Sequence, residues 1–376
     1  MTKNRKILIY THAMTGGGAE RVCALLASGF AKAGDEVILA VDFESSDNAA
    51  YVDAAVRIVV LGKKHGTAIR ALARLLKAEQ PDVSFSALGI SNLKHLVAAG
   101  LTGRLDRAIL SYHGFFSNEP RPLSRLFYLL TPLATRLAAA TVCVSDSLRA
   151  SLLKQFWASA RHTTRIYNPV EIRVTDVPTQ RASSMVLAAG RLVADKNFTG
   201  LVRAFALLEN RQAHMVILGE GPERGAIERE IARLGLKKRV TLPGYVGEPW
   251  SYYRQATCFA MSSRLETFSL VLVEALASGL PVVSTFCGGP PEILDFGRFG
   301  RLVPYDDALA MARAIDASLA MPGDPEPRKA RAKAFGLRIA MENYGQLFDQ
   351  VSARASDIKI PMPGDLVRHG EKTAAI

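Results

Sequence analysis

The chain has 376 residues, a mass of 40.7 kDa, 49% hydrophobic and 22% charged residues, which excludes extended disorder and provides for about two domains of ordinary size. Cys23, Cys143, Cys258 and Cys287 lie far apart with no C-x-x-C pair, excluding a zinc ribbon or a dense disulfide framework and fitting a reducing compartment. Of the net charge of +12, nearly all belongs to the first half, where residues 1–168 carry 21 Lys+Arg against 12 Asp+Glu.

That positive half attracts anionic lipid headgroups or a phosphorylated substrate. No zinc-finger spacing or basic zipper accompanies it, so nucleic acid is not an expected partner. Short apolar runs then alternate with helical patterns. The first is a strand at Lys6–Tyr10, reached without the roughly 7–15-residue apolar core of a signal peptide. Ala19–Ala33 reads as an amphipathic helix, Val37–Val41 as a strand, Ala68–Glu79 as a helix, Val83–Ala87 as a strand and Asn92–Gly100 as a helix. Strands at Ala108–Tyr112 and Thr141–Ser145 flank helical material from Leu123 to Ala138. The longest apolar stretch, Leu126 to Val144, is interrupted by Pro132 and Arg136 and falls short of the roughly 20 residues of a spanning helix. A cytoplasmic protein, soluble or peripheral on a membrane surface, is expected.

Around Ile166–Pro178 the alternation breaks at Tyr-Asn-Pro-Val and a polar stretch, a hinge by the stiffness of proline. It then restarts: strands at Met185–Ala189, His214–Leu218, Val240–Leu242, Cys258–Ser262 and Pro281–Ser284, with helices at Phe198–Leu208, Ala226–Leu234, Leu270–Ser278 and Ala308–Leu319. Strand–helix alternation implies parallel sheets covered on both faces. The predicted organisation is α/β, with two Rossmann-like domains facing across a cleft: residues 1–168, a linker at 169–184, residues 185–335, a C-terminal helix at 336–356 packing back on the first domain, and a tail at 357–376. Ligands in such sheets bind beyond the carboxyl ends of the strands.

Four segments carry candidate chemistry. Gly16, Gly17 and Gly18 form a turn before the first helix, where φ > 0 and free N–H groups can serve an anion; an ordinary tight turn explains them equally well. Arg191 and Lys196 follow the first strand of the second half and can grip a diphosphate as a planar fork and a point charge. Glu274 lies in an apolar helix, where a carboxylate demands partners; ribose hydroxyls would supply them. Glu266 precedes that helix, whose opening N–H groups at Phe268, Ser269 and Leu270 can hold a phosphate. His113 ends a strand on the cleft side, and the histidines show no metal-ligand spacing.

The order Gly-Gly-Gly-Ala-Glu-Arg-Val, Tyr-Asn-Pro-Val, Gly-Arg-Leu-x-x-x-Lys, Gly-Glu-Gly-Pro, Leu-Pro-Gly-Tyr-Val and Glu-x-seven-Glu resembles glycosyltransferase family 4, retaining enzymes of the GT-B fold, over about residues 5–350. The resemblance implies metal-independent transfer, without cofactor, of a sugar from a nucleotide-diphosphate donor held by the C-terminal domain. The acceptor, a glycan or polyisoprenyl-linked intermediate of envelope polysaccharide or lipopolysaccharide, is held by the N-terminal one. It implies that Arg191 and Lys196 bind the diphosphate, Glu274 the ribose and Glu266 the transferred sugar, with Thr267, Phe268, Ser269 and Leu270 around sugar and phosphate. Tyr245 and Val246 would lie against the base, Gly16 to Gly18 near phosphates or acceptor, and His113 beside the reaction centre. Thr267 and Ser269 replace glycines of the commonest family pattern, and the Cys287–Glu292 loop also departs from it, so no role is assigned to that loop. A sugar-nucleotide epimerase or hydrolase on the same scaffold, or a non-catalytic nucleotide-sugar-binding subunit, are the alternative readings.

Overall fold

The computed structural model describes residues 4–45, 47–119, 122–173 and 184–357. In the first half, strands β1 (Lys6–Thr11), β2 (Glu36–Val41), β3 (Arg57–Val60), β4 (Val83–Ala87), β5 (Ala108–Tyr112), β6 (Ala140–Cys143) and β7 (Thr163–Arg165) form one sheet in the order β3-β2-β1-β4-β5-β6-β7. Every pair is parallel. Helices α1 (Gly18–Lys32), α2 (His65–Glu79), α3 (Gly89–Leu101), α4 (Pro122–Leu129), α5 (Thr131–Leu137) and α6 (Asp146–Gln155) supply the crossovers. The apolar strands β1, β2, β4 and β5 are buried along nearly their whole length, as a sheet covered on both faces requires.

The second half repeats the plan. Strands β8 (Met185–Ala189), β9 (His214–Leu218), β10 (Val240–Gly244), β11 (Cys258–Met261), β12 (Val282–Thr285) and β13 (Arg301–Val303) run parallel in the order β10-β9-β8-β11-β12-β13. Helices α7 (Phe198–Ala206), α8 (Arg224–Arg233), α9 (Trp250–Gln255), α10 (Leu270–Ala277), α11 (Pro290–Ile293) and α12 (Ala308–Ala320) connect them. In both sheets the strand order reverses beside the first strand, opening a crevice at the carboxyl edge.

The halves are joined twice. The Val170 N–H donates to the Phe335 carbonyl at 2.9 Å, and the Leu337 N–H returns a bond to the Val170 carbonyl at 3.2 Å, so the two crossing segments run side by side. After α13 (Glu326–Lys333), the long helix α14 (Leu337–Asp357) lies on the first half. Tyr344 and Phe348 are buried there against Phe85 and Phe30, and Arg5 ties the helix down through Gly345 O and Asp349. A shared apolar cluster, including Tyr112 and Phe127 from one half and Leu187 and Phe268 from the other, fills the space between them. Residues 174–183 of the expected linker and 358–376 of the expected tail lie outside the described residues.

Several elements differ from the sequence expectation. The helical stretch Leu123–Ala138 is two helices, α4 and α5, broken at Leu130, with Pro132 inside the first turn of the second. Edge strands β3, β7 and β13 carry the short, largely exposed sequences Arg-Ile-Val-Val, Thr-Thr-Arg and Arg-Leu-Val, whose apolar signal is weak because edges bury less. The four cysteines are free and buried.

Candidate active site

The carboxyl edges of the two sheets face each other. On the C-terminal side, β8 runs into Gly190 and Arg191, and the chain then makes a tight turn, Ala194–Lys196. Arg191 is exposed and has no side-chain partner among the described residues. The turn is pinned to the end of β11 by Ser262 Oγ, which donates to the carbonyls of Lys196 at 2.9 Å and Asn197 at 3.0 Å. This brings Lys196 Nζ onto Glu266 Oε2 as a mostly buried ion pair. The neighbouring Gly219 and Gly221, left unassigned from sequence, serve packing: a Cβ at Gly219 would meet Gly190 O at 1.9 Å, and one at Gly221 would meet Leu192 O at 2.3 Å.

Glu266 and Glu274 bracket the start of α10. Ser269 caps that helix by accepting from the Leu272 N–H at 3.4 Å. Phe268 is buried in the shared cluster, and Leu270 packs against the cores of both halves. Glu274 is almost fully buried, and both its oxygens are engaged: Oε1 accepts from Arg21 Nη1 at 2.8 Å and Oε2 from the Tyr253 hydroxyl at 2.9 Å. Burial and the carboxylate charge hold the Tyr253 phenol well above its usual range, so it stays a donor. Arg21 belongs to α1 of the other half and stacks 4.6 Å from the Tyr51 ring. The partner for this buried acid is therefore an arginine across the cleft. Tyr245 is exposed at the cleft end of β10, and Val246 is half-buried against the shared cluster.

From the N-terminal side, Thr267 Oγ1 donates to His113 O at 2.7 Å. The threonine that replaces a glycine thus ties the C-terminal loop to the end of β5. His113 Nε2 lies 2.9 Å from Ser111 Oγ, while its Nδ1 is sealed from solvent without a partner. Of the three early glycines, Gly17 has φ −84° and none adopts the left-handed conformation, as the ordinary tight-turn reading has it. The Gly16 N–H donates to Asp47 at 2.9 Å, and a Cβ on Gly18 would touch Leu270 at 3.4 Å. Of the three, only Gly18 faces the other half; a Cβ on Gly17 would fall on the Glu20 carboxylate of its own helix.

The Cys287–Glu292 loop, left unassigned from sequence, holds the residue that sequence reasoning missed. The Glu292 carboxylate accepts from the N–H groups of Asp146 and Ser147, both at 2.7 Å, at the start of α6 in the opposite half. An acid on a helix N-terminus is favoured by the unpaired N–H groups there. Gly288 and Gly289 let the loop lie on the backbone of Glu266 and Thr267, where a Cβ would fall 2.0 and 2.2 Å from their carbonyls. The signal available in sequence was an acid after Gly-Gly-Pro-Pro, together with a Ser-Asp-Ser helix start.

The two halves match separate family models, "Glycosyltransferase Family 4" over residues 16–174 and "Glycosyl transferases group 1" over residues 176–335. The chain belongs to this glycosyltransferase family, and its fold is GT-B. It is 32% identical over 198 residues to the Campylobacter jejuni N-acetylgalactosamine-N,N'-diacetylbacillosaminyl-diphospho-undecaprenol 4-alpha-N-acetylgalactosaminyltransferase, a match spanning 49% of this chain and 53% of that one. It is 26% identical over 178 residues to the lipopolysaccharide core biosynthesis glycosyltransferase LpsD of Rhizobium meliloti, covering 46% and 51%. The chain thus spans about half the length of the curated relatives it matches. Among solved structures, Anabaena HepE in complex with UDP and glucose superposes with TM-score 0.80 at 19% identity, over 92% of this chain and all of that one. Sucrose-phosphate synthase from Thermosynechococcus elongatus gives 0.79 at 20%, over 93% and 100%.

Burial pushes the His113 imidazole down to about 4 and that of His95 down to about 3, from an ordinary value of about 6.5. Both rings are therefore neutral at pH 7. Between those values and about 6.5 the unfolded chain binds more protons, so stability is present above about pH 6.5 and is lost as pH falls. Denaturant midpoints measured from pH 7.5 to 5 are expected to decline, and His113→Gln to flatten that decline. Identical pH dependence in the two proteins would contradict this account of His113.

Proposed function

We propose that the protein transfers a sugar, with retention of anomeric configuration, from a nucleotide-diphosphate donor to a lipid-linked glycan acceptor of envelope polysaccharide assembly. The observation that carries the reading is the convergence at one cleft mouth of the free Arg191, the Lys196–Glu266 pair, the start of α10 and Glu274. In this reading Arg191 and Lys196 take the diphosphate, Glu266 turns to the hydroxyls of the transferred sugar, Tyr245 serves the base, and Glu274 reaches the ribose by exchanging Arg21 or Tyr253 for a hydroxyl. The C1–O bond to the diphosphate breaks as a C1–O bond forms to the acceptor hydroxyl on the same face. The hydroxyl proton passes to an oxygen of the departing diphosphate. Charge grows on that diphosphate, and preorganised cations and N–H dipoles in a dry cleft are the groups that stabilise it. No bound metal is needed for that role in this scheme.

Support for a lipid-linked acceptor comes from the relatives named above and from the surface beside His113. Helices α4 and α5 expose Leu126 (48%), Leu129 (63%) and Leu133 (56%), and Trp157 stands 72% exposed next to them, its carbonyl held by Arg136. Apolar side chains grouped on one exposed face mark an interaction surface, and Arg125 and Arg136 on the same helices suit an anionic interface. No helix among the described residues is long and apolar enough to cross a membrane. The patch is coupled to the cleft, since Tyr128 on α4 donates its hydroxyl to the carbonyl of Gly114, next to His113.

The test is a screen of UDP-, GDP-, ADP- and dTDP-sugars against polyprenyl-diphosphate-linked saccharides, with products read by mass spectrometry and anomeric NMR. Transfer with retention, undiminished by chelator, is expected for at least one pair, with Arg191→Ala or Lys196→Ala losing about 10²-fold or more in turnover while keeping the wild-type circular dichroism. Wild-type turnover from both variants, or donor isomerisation without transfer, would overturn the proposal. Sedimentation with anionic vesicles at low salt is expected to capture the protein and to release the double variant Leu129→Glu, Leu133→Glu. Equal capture of the two, or none of the wild type, would refute membrane docking through this face.

A further inference from the structure

A second polar cluster lies at the carboxyl edge of the N-terminal sheet, away from the donor residues. Asp42, at the end of β2, is fully buried, and its carboxylate accepts from Tyr10 Oη at 2.8 Å, from His12 Nδ1 at 2.6 Å and from Lys94 Nζ. Tyr10 and Lys94 are buried with it. These hydrogen bonds outweigh burial and hold the Asp42 carboxyl below its ordinary range. Buried ion pairs give little net stability, because desolvation offsets the attraction. What this one does is fix a ring. Asp42 is an acceptor, so the His12 Nδ1 carries a proton toward it, which leaves Nε2 as the ring nitrogen open to a ligand. His12 is only partly buried, and Nε2 has no partner among the described residues.

The position of that nitrogen is informative. The edge that carries His12 at the end of β1 also carries His113 at the end of β5 and the start of α6 after β6, and both of these touch the C-terminal half. The sheet order places β4 between β1 and β5, so the backbones of His12 and His113 stand about 10 Å apart, two strand spacings. Between them, Leu88 at the end of β4 is held at φ +79°, strain of the kind that persists where surrounding structure imposes it. Phe43 packs edge-on against the His12 ring, and Lys63 Nζ lies 5.8 Å from the Phe43 centroid. A directed ring nitrogen beside an aromatic and a cation matches a saccharide bearing hydroxyls and a nearby anionic linkage.

We propose that His12 is an acceptor-binding residue, its Nε2 hydrogen-bonding a hydroxyl of the acceptor saccharide, with Asp42, Lys94 and Tyr10 as positioning residues. This rests on the transferase reading above and extends it to the acceptor side. His12 is the variant of choice, since Asp42→Asn leaves Lys94 buried without its counter-ion and endangers folding.

With the donor–acceptor pair that turns over in the screen, His12→Ala is expected to raise the KM for acceptor about tenfold or more. Its affinity for the donor, measured by calorimetry, should stay within twofold of wild type. His12→Gln, which keeps a hydrogen-bonding group near the Nε2 position, should recover most of the loss. An unchanged acceptor KM in His12→Ala, with wild-type transfer intact, would show the cluster to be structural and overturn the proposal. A parallel loss of donor affinity, or Gln behaving as Ala, would overturn it as well. If wild-type protein transfers to no acceptor, it is the transferase reading that fails, a distinct result.

Discussion

A carboxylate in the middle of an apolar helix is the constraint around which the cleft is organised. Glu274 cannot be buried charged without partners, since desolvation costs several kcal/mol. The second half supplies one partner, Tyr253, and the first half supplies the other, Arg21. The satisfaction of α10 therefore depends on how the two halves meet. The same loop system makes further contacts across the gap, Thr267 to the carbonyl of His113 and Glu292 to the start of α6. Three of these bonds involve backbone groups of the first half, which fixes the spacing of the two carboxyl edges rather than the identity of the facing side chains.

This arrangement leaves charge poised in a specific way. Lys196 and Glu266 satisfy each other while Arg191 stays free. A diphosphate entering beside Arg191 offers Lys196 a doubly favourable partner, and an arriving sugar offers Glu266 hydroxyl donors in exchange. The ion pair thereby keeps two charges from being left unpaired in a mostly buried place before substrate arrives. On the opposite edge, the neutral His113 is held inside the end of β5 by Ser111 while His12 keeps Nε2 without a partner among the described residues, and the leucine face of α4 and α5 adjoins the His113 loop through Tyr128.

Much of this was legible in the sequence. The alternation of apolar strands and helices gives both sheets, because central strands are apolar throughout. Glu274 stands out, because an acid among Leu270, Val271, Leu272, Val273 and Ala275 is unexpected unless satisfied. Arg21 and Tyr253 could not be read as its partners. Arg21 lies 253 residues away, and nothing in local pattern encodes a contact made by docking two domains. Glu292 escaped for a related reason: its partners are main-chain N–H groups, which carry no residue signature. The three early glycines were read as backbone freedom or an ordinary tight turn, and none of them takes a positive φ. Edge strands β3, β7 and β13 were missed because partial exposure removes the apolar signal used to find them.

The most direct measurement is a crystal structure with a non-hydrolysable nucleotide-diphosphate-sugar of the base the protein prefers. The account requires Lys196 Nζ to have left Glu266 for a phosphate oxygen, Arg191 to lie within hydrogen-bond distance of the same diphosphate, and Glu266 to face a sugar hydroxyl. A nucleotide bound elsewhere, or one bound in this cleft with the Lys196–Glu266 pair undisturbed and Arg191 still in solvent, would contradict it.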